Sequence, residues 1–349
     1  MPSAVILGGT GVIGSATARR LVGSGWEVTV VARNPLRMPE DLGALGVRFV
    51  SCDRSDITTL RGLLGSSGHD LLVDCVCFTA HDAETLLGLA GAAGSTVMIS
   101  SKAVYVDDAG NNVNSQVAPR FRGPITEEQP VMAPGIGDPM IGEGYGSHKV
   151  AAEQTLLDGN QPVTVIRPSK VHGAGGTQPR EWVFVKRCLD RRTAFLLADG
   201  GRSVDHTSAA ANLAALIEVV AARPERRILN GADPDAPSVL DIARAIAGHL
   251  DYTFEEVLLE PDADPLLGAH PWRTAQPIVL DTSAALALGY VPVGDYAQTV
   301  VEAVDWMTGR AEIGDNGAAT LAGVDNDGFE HFFNYEREDH YMATNMYGR

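Results

Sequence analysis

Tyr145 and Lys149 stand four positions apart in Tyr145-Gly-Ser-His-Lys149, a spacing that puts both side chains on one face of a helix. An ammonium beside a phenol favours the phenolate and draws its titration toward working pH, so the pair can exchange a proton with a substrate hydroxyl. His148 falls off that shared face. Upstream, Ile99-Ser-Ser-Lys-Ala-Val-Tyr105 closes an apolar run with Ser100 and Ser101. A strand-end serine there can hydrogen-bond the same oxygen and orient it. Near the start, Gly8-Gly-Thr10-Gly11-Val12-Ile13-Gly14 follows one apolar run and precedes a helix-like one. Glycines in that context permit a tight turn and let the backbone approach a pyrophosphate at a helix N-terminus, the pattern of a dinucleotide site. The second apolar run ends in Val30-Val-Ala-Arg33-Asn34-Pro35. An acidic residue there would hold a ribose 2′-hydroxyl, whereas Arg33, with Arg37 nearby, suits a 2′-phosphate. NAD and NADP both stay open, with a tilt to NADP; a solvated arginine, or one stacked on adenine, is the alternative.

These residues need a scaffold of alternating elements. Apolar runs Ala4–Leu7, Val28–Val31, Val47–Val50, Leu71–Phe78, Val97–Ile99 and Val163–Ile166 are expected to be buried parallel strands. Helices are expected near Ile13–Val22, Ile57–Leu64, Asp82–Ala93 and Tyr145–Leu157. Regular alternation implies crossover units and a Rossmann-type, doubly wound α/β fold with a parallel sheet. The 349 residues exceed one minimal domain and suit a smaller C-terminal substrate-binding part as well. The expected division is a dinucleotide-binding domain over 1–167, completed by about 205–235, a substrate-binding part over 168–204 and 236–309, and a tail over 310–349. Residues 106–144, rich in Gly, Pro, Asn and Asp, are expected to form an active-site loop. The tail is acidic and carries Phe329, Phe332, Phe333, Tyr335, Tyr341 and Tyr347. It should pack on the body or on another subunit, with 314–328 poorly ordered.

Lys plus Arg number 27 against 44 Asp plus Glu, a net charge of −17. That field repels phosphate backbones, so no nucleic-acid partner is expected, and an anionic small substrate would need local cations. No apolar run approaches the roughly 18 residues of a membrane span, and the first residues lack a basic start and apolar core, so no membrane partner and a cytoplasmic location are expected. Cys52, Cys75, Cys77 and Cys188 show no metal or disulfide spacing; Cys75 and Cys77, two apart on a predicted strand, should face one way as buried thiols. The nine histidines lack metal-ligand spacing, so no metal is expected. Trp182, Lys186 and Arg187 fall on a predicted helix and could line a pocket, with Trp182 better placed as core.

The set Gly8–Gly14, Ser100–Tyr105, Tyr145–Lys149 and Arg167-Pro-Ser-Lys-Val-His-Gly173 resembles the extended short-chain dehydrogenases, the NAD-dependent epimerase/dehydratase family, over about residues 3–310. The resemblance implies Ser101 as the catalytic hydroxyl, Tyr145 as acid and base, and Lys149 as a ribose contact. It implies Asp53 against adenine, Phe78, Thr79 and Ala80 along the cofactor, and Pro168 to Val171 near the nicotinamide. Arg202 and His206 match a motif whose arginine often meets substrate phosphates, and Thr79, Ser101 and Lys170 join them as expected substrate contacts.

The family's dehydratases often follow the catalytic hydroxyl with an Asp-Glu pair, as acid and base for water loss. Here Lys102 and Ala103 stand there, which argues against dehydration. Lys170 replaces an Asn common among sugar-nucleotide enzymes; it either supplies a cation for a phosphate or carboxylate or is solvated. The preferred expectation is an epimerase acting through a transient ketone on a hydroxyl of a sugar or sugar-nucleotide-like substrate, assembled as a homodimer. The alternatives are an NADPH-dependent ketoreductase or dehydrogenase, favoured by Arg33, and a non-catalytic dinucleotide- or RNA-binding protein. Asp74-Cys-Val-Cys-Phe-Thr-Ala resembles a branch that includes chloroplast RNA-binding proteins, but the acidic charge opposes that role.

Overall fold

A computed structural model of the chain describes all residues except 66–67, 265, 325–326 and 346–349. The first half runs β1 (Ser3–Leu7), α1 (Val12–Gly23), β2 (Glu27–Ala32), α2 (Glu40–Ala44), β3 (Arg48–Ser51), α3 (Ile57–Leu64), β4 (His69–Asp74), α4 (Ala80–Ala90), β5 (Ala93–Ile99), α5 (Gly142–Asp158) and β6 (Val163–Pro168). There follow β7 (Lys170–His172), α6 (Trp182–Leu189), β8 (Ala194–Leu197), β9 (Thr207–Ala209), α7 (Ala210–Ala221), β10 (Arg227–Gly231), α8 (Val239–His249), β11 (Glu255–Leu258), α9 (Ser283–Ala287) and α10 (Tyr296–Thr308). The tail adds β12 (Ala311–Ile313), β13 (Ala319–Leu321) and α11 (Tyr335–Asn345).

Seven parallel strands form one sheet in the order β10-β6-β5-β4-β1-β2-β3. Strand order reverses between β1 and β4, and in doubly wound sheets the ligand crevice lies beyond the carboxyl ends at such a switch. The period of two along each strand sorts the core. Ala4, Ile6, Val28, Val30, Leu71 and Val73 face α1 and α7, whose Leu21, Leu213 and Leu216 meet them. Val5, Leu7, Val31 and Leu72 face the other way, toward Leu60 of α3, Leu86 of α4 and Leu156 of α5.

A separate core gathers Trp182, Phe184, Phe195, Ile242, Trp272, Tyr296 and Val300. Trp182 belongs to it rather than to a pocket. The tail packs on this same body: Phe329 and Leu321 are buried in it, Arg187 donates to Glu338 at 2.5 Å, and the Tyr335 hydroxyl donates to Asp190 at 2.7 Å. Tyr347 lies outside the described residues.

Two expectations need correction. Part of 314–328 is ordered, because Ala319–Leu321 pairs antiparallel with Ala311–Ile313 and buries Leu321. The strand expected over Leu71–Phe78 stops at Asp74. There the buried Asp74 carboxylate accepts the Val76 amide at 2.8 Å and pairs with Arg54, which turns the chain off the sheet. Cys77 is buried and Cys75 half-buried, and both lie on this turn-off rather than on a strand face. Before α5 begins at Gly142, the segment 106–141 forms no strand or helix, and isolated bridges join Val131 to Tyr105 and Ile125 to Leu280. A small core of Val104, Tyr105, Ile125, Val150, Ile278 and Leu280 holds it down.

Candidate active site

The glycine turn sits at the carboxyl end of β1, at the switch point. A Cβ on Gly14 would lie 2.5 Å from the Gly8 carbonyl oxygen, so only glycine lets α1 start this close to the strand. Gly11 caps α1 without a side-chain hydrogen bond, and the helix's first turn holds no acidic residue. Its leading amides therefore point out uncompensated, with the positive end of the dipole available to an anion. Thr10, Gly11 and Val12 surround that end. Arg33 is exposed just past β2. Asp53, also exposed, accepts the Ser55 amide at 2.9 Å and hydroxyl at 2.7 Å. Those bonds, with Arg33 and Arg54 near, hold its carboxyl below the usual range. Arg54, which the sequence did not single out, ties Asp74 at the end of β4 to Asp82 on α4.

Tyr145 and Lys149 occupy the first turns of α5. Gly146 between them brings the helix against the chain after β5: a Cβ there would lie 2.3 Å from the Ala103 carbonyl oxygen. Lys149 is buried; its Nζ donates to the Cys77 carbonyl at 2.7 Å and the Ile99 carbonyl at 2.9 Å. It lies 4.5 Å from the Phe78 ring centroid and 5.8 Å from that of Tyr145. The two serines face different ways. Ser100 gives its hydroxyl to the buried Glu153 carboxylate, which Arg167 grips through Nε at 3.0 Å. Ser101 keeps its hydroxyl on the cleft and accepts the Ala103 amide at 3.1 Å. With that lone pair used, its own hydrogen is free to donate to a substrate oxygen.

Ile13, Phe78, Ser101, Tyr145, Lys149, Pro168, Lys170 and Val171 line one cleft of about 380 Å³. Val113 and Asn114 from the long loop complete its wall, as do Lys102 and Arg180. Lys102 is buried against the Asp205 carboxylate, and Lys170 reaches the same carboxylate at 3.3 Å. Lys170 also donates to the Pro271 carbonyl at 3.0 Å. Burial and the nearby Arg180 guanidinium push the Lys170 ammonium down to about 7, while Asp205 pulls against them. Burial, with Lys170 and Arg180, lowers Lys102 as well. Arg180 donates to the Val171 carbonyl at 3.3 Å and has no carboxylate within ion-pair reach among the described residues.

Three expected substrate contacts sit elsewhere. Thr79 uses its hydroxyl to cap α4, accepting the Asp82 amide. His206 is buried with one ring nitrogen on the Asp233 carbonyl at 2.9 Å and the other accepting the Leu280 amide at 3.1 Å. Arg202 is exposed and off the cleft wall. Conversely, Arg180 and Asp205 were not anticipated, because no local pattern marks a residue that acts only through neighbours from distant segments.

The model of the NAD dependent epimerase/dehydratase family matches residues 4–230. No curated protein gives a significant match. Among solved structures, the chain is similar to UDP-glucose-4-epimerase from Stenotrophomonas maltophila with bound NAD and formylated UDP-arabinopyranose. The TM-score is 0.67 and identity 17%, over 88% of this chain and 98% of that one. It is similar to dTDP-glucose 4,6-dehydratase from Bacillus anthracis in complex with NAD, with TM-score 0.65 and 17% identity over 88% and 97% of the chains. UDP-glucuronic acid 4-epimerase from Bacillus cereus, in complex with UDP-glucuronic acid and NAD, gives 0.64 and 15% over 88% and 99%. At these identities the likeness is one of fold.

Proposed function

The chain belongs to the NAD dependent epimerase/dehydratase family, and from that premise we propose that it inverts a carbinol centre of a sugar-like substrate through a transient ketone. The observation that carries this reading is that, among the described residues, no carboxylate lines the cleft beside Ser101 and Tyr145. Asp205, which touches two lysines of the cleft wall, is held by Lys102 and Lys170. Water loss needs an acid and a base at the leaving group; proton exchange at one hydroxyl needs only the phenol.

The residues present fit a dinucleotide: the open amide end of α1 suits the pyrophosphate, and Phe78, Pro168 and Val171 form walls for the ring. A nicotinamide held there would supply reversible hydride transfer, by which a carbinol carbon could be oxidised and then reduced again from its other face with no net oxidation. Tyr145 takes the hydroxyl proton and later gives it back. Lys149, fixed by two carbonyls, supplies the positive charge that steadies the phenolate. Ser101 donates its free hydroxyl hydrogen to the reacting oxygen in both halves, which holds that oxygen while the carbon skeleton turns over.

A second reading, a net reductase using NADPH, draws on Arg33, exposed where a 2′-phosphate would lie. Cofactor retention separates the two. An epimerase restores its cofactor at each turnover, so the purified protein should carry dinucleotide and isomerise substrate with none added. Protein that emerges empty and consumes NADPH stoichiometrically with a ketone would establish the reductase instead. Loss of turnover in Tyr145→Phe is expected under both; full activity in that variant would remove both in favour of a binding role.

A further inference from the structure

Lys102, Lys170 and Arg180 converge on the cleft wall beside Tyr145 with one carboxylate, Asp205, among them. Three segments supply the cations: the turn after β5, β7, and the loop before α6. Asp205 is shared by the two lysines, and among the described residues Arg180 has the Val171 carbonyl and no carboxylate. Arg180 lines the same cleft as Tyr145. The wall therefore gathers three basic side chains around one carboxylate, inside a chain whose net charge is −17, and an arriving anion would favour the charged form of the two lysines that burial disfavours. Keeping unbalanced cations out of water is costly unless a partner arrives.

We propose that the substrate carries a carboxylate or phosphate on the same small fragment as its reacting hydroxyl, and that Lys170 and Arg180, backed by Lys102, hold it. This rests on the epimerase reading only in placing the reacting hydroxyl at Tyr145. The cofactor's own phosphates have a separate place at the start of α1. Asp205 tethers both lysines to one point, so their ammonium groups are positioned before the anion enters, which lowers the ordering cost of binding it. The cleft is also compact, so an anion bound here lies close to the phenol.

The test uses the full-length protein saturated with NAD, titrated calorimetrically with inorganic phosphate and, separately, with malonate. One or both should bind, and the preferred probe tells phosphate from carboxylate. Lys170→Gln and Arg180→Gln should each weaken that binding by roughly ten- to a hundredfold, the worth of one charge-assisted hydrogen bond. Lys170→Arg should recover much of it, which separates lost charge from lost folding. NAD affinity should stay unchanged in all three variants. The proposal is overturned if neither probe binds, if the glutamine variants bind as the parent does, or if NAD affinity falls by the same factor, since the cations would then serve the cofactor. None of those results bears on isomerisation without added cofactor. Conversely, anion binding that survives in Tyr145→Phe, in a protein that proves to consume NADPH, leaves this site standing and removes the epimerase.

Discussion

Replacing Glu153 by leucine should cost about 3–5 kcal/mol of stability, the usual price of stranding a buried charge. Glu153 and Arg167 each have side chains only 3% exposed, so solvent cannot screen the loss. Burial works against the Arg167 guanidinium, but the Glu153 carboxylate outweighs it and holds the arginine above its ordinary value. Without Glu153, Arg167 retains the Glu127 carbonyl at 3.3 Å and the Tyr105 ring at 4.7 Å. Those contacts favour the low end of the range. Arg167→Met strands the carboxylate and should cost a similar amount. The double variant should be more stable than either single one, because two apolar side chains leave no charge unpaired. Urea unfolding followed by tryptophan fluorescence and circular dichroism measures this, provided the two transitions coincide. Glu153 also accepts the Ser100 hydroxyl, so turnover in Glu153→Leu should fall at temperatures where the variant is still folded. A loss below about 1 kcal/mol in both single variants, or a double variant no better than its parents, refutes the reasoning that this pair is a closed, dry network.

Gly14→Val should abolish measurable dinucleotide binding in a fluorescence titration, because its Cβ would sit 2.5 Å from the Gly8 oxygen; retained affinity would mean the turn can shift. Arg33→Asp should move the relative affinity from NADP toward NAD, measured as the ratio of the two dissociation constants, and an unchanged ratio would show Arg33 solvated. Asp233 accepts from His172 at 3.0 Å, Thr207 at 2.7 Å, the Ala209 amide at 2.7 Å and Asn212 at 2.8 Å. Burial opposes its charge, but these donors and the His172 charge prevail and keep its carboxyl below the ordinary value. Its contribution is thus complete above about pH 4 and lost as pH falls through the lowered value. Burial also opposes the His172 charge, yet Asp233 raises that imidazole, so the ionic part is complete below about pH 6.5 and fades as pH rises through the raised value. Thermal unfolding of Asp233→Asn against the parent should show its largest penalty between those limits, and a penalty independent of pH would contradict the charge pairing.

What the sequence made legible was local. The glycine turn and the tyrosine–lysine spacing depend on chain neighbours and helical period, and α1 and α5 begin where that logic requires. The end of β4 was misjudged because Cys75 to Phe78 continue the apolar pattern; the turn-off is imposed by Arg54, twenty positions upstream of the aspartate it grips. His206 and Arg202 were expected at the substrate from a motif. The burial of one and exposure of the other follow from packing around β9, where Asp233 and Leu280 claim the imidazole. Val104 and Ile125 likewise lie far apart in sequence, and their shared core holds the long loop together with Asn230, which donates to the Ile125 carbonyl at 2.8 Å. The cation cluster was half visible: Lys102 and Lys170 stood out as departures, but Arg180 comes from a segment with no signal of its own, and Asp205 lies unmarked inside the Arg202–His206 motif.

Those departures are coupled. The acidic pair that the family's dehydratases often carry after the catalytic hydroxyl would put negative charge beside the phenol and supply an acid for dehydration. Lys102 leaves that position without an acid and is itself buried against the Asp205 carboxylate. Lys170 must then share a carboxylate already taken, and Arg180 has none. One substitution thus withdraws an elimination route and leaves two neighbouring cations short of a counter-ion. A site changed in that way favours proton exchange at a hydroxyl whose neighbour is an anion, because the charge that chemistry brings is the charge the wall lacks. The reaction type and the substrate's charge are consequently one question, and Lys102 is the position at which they join.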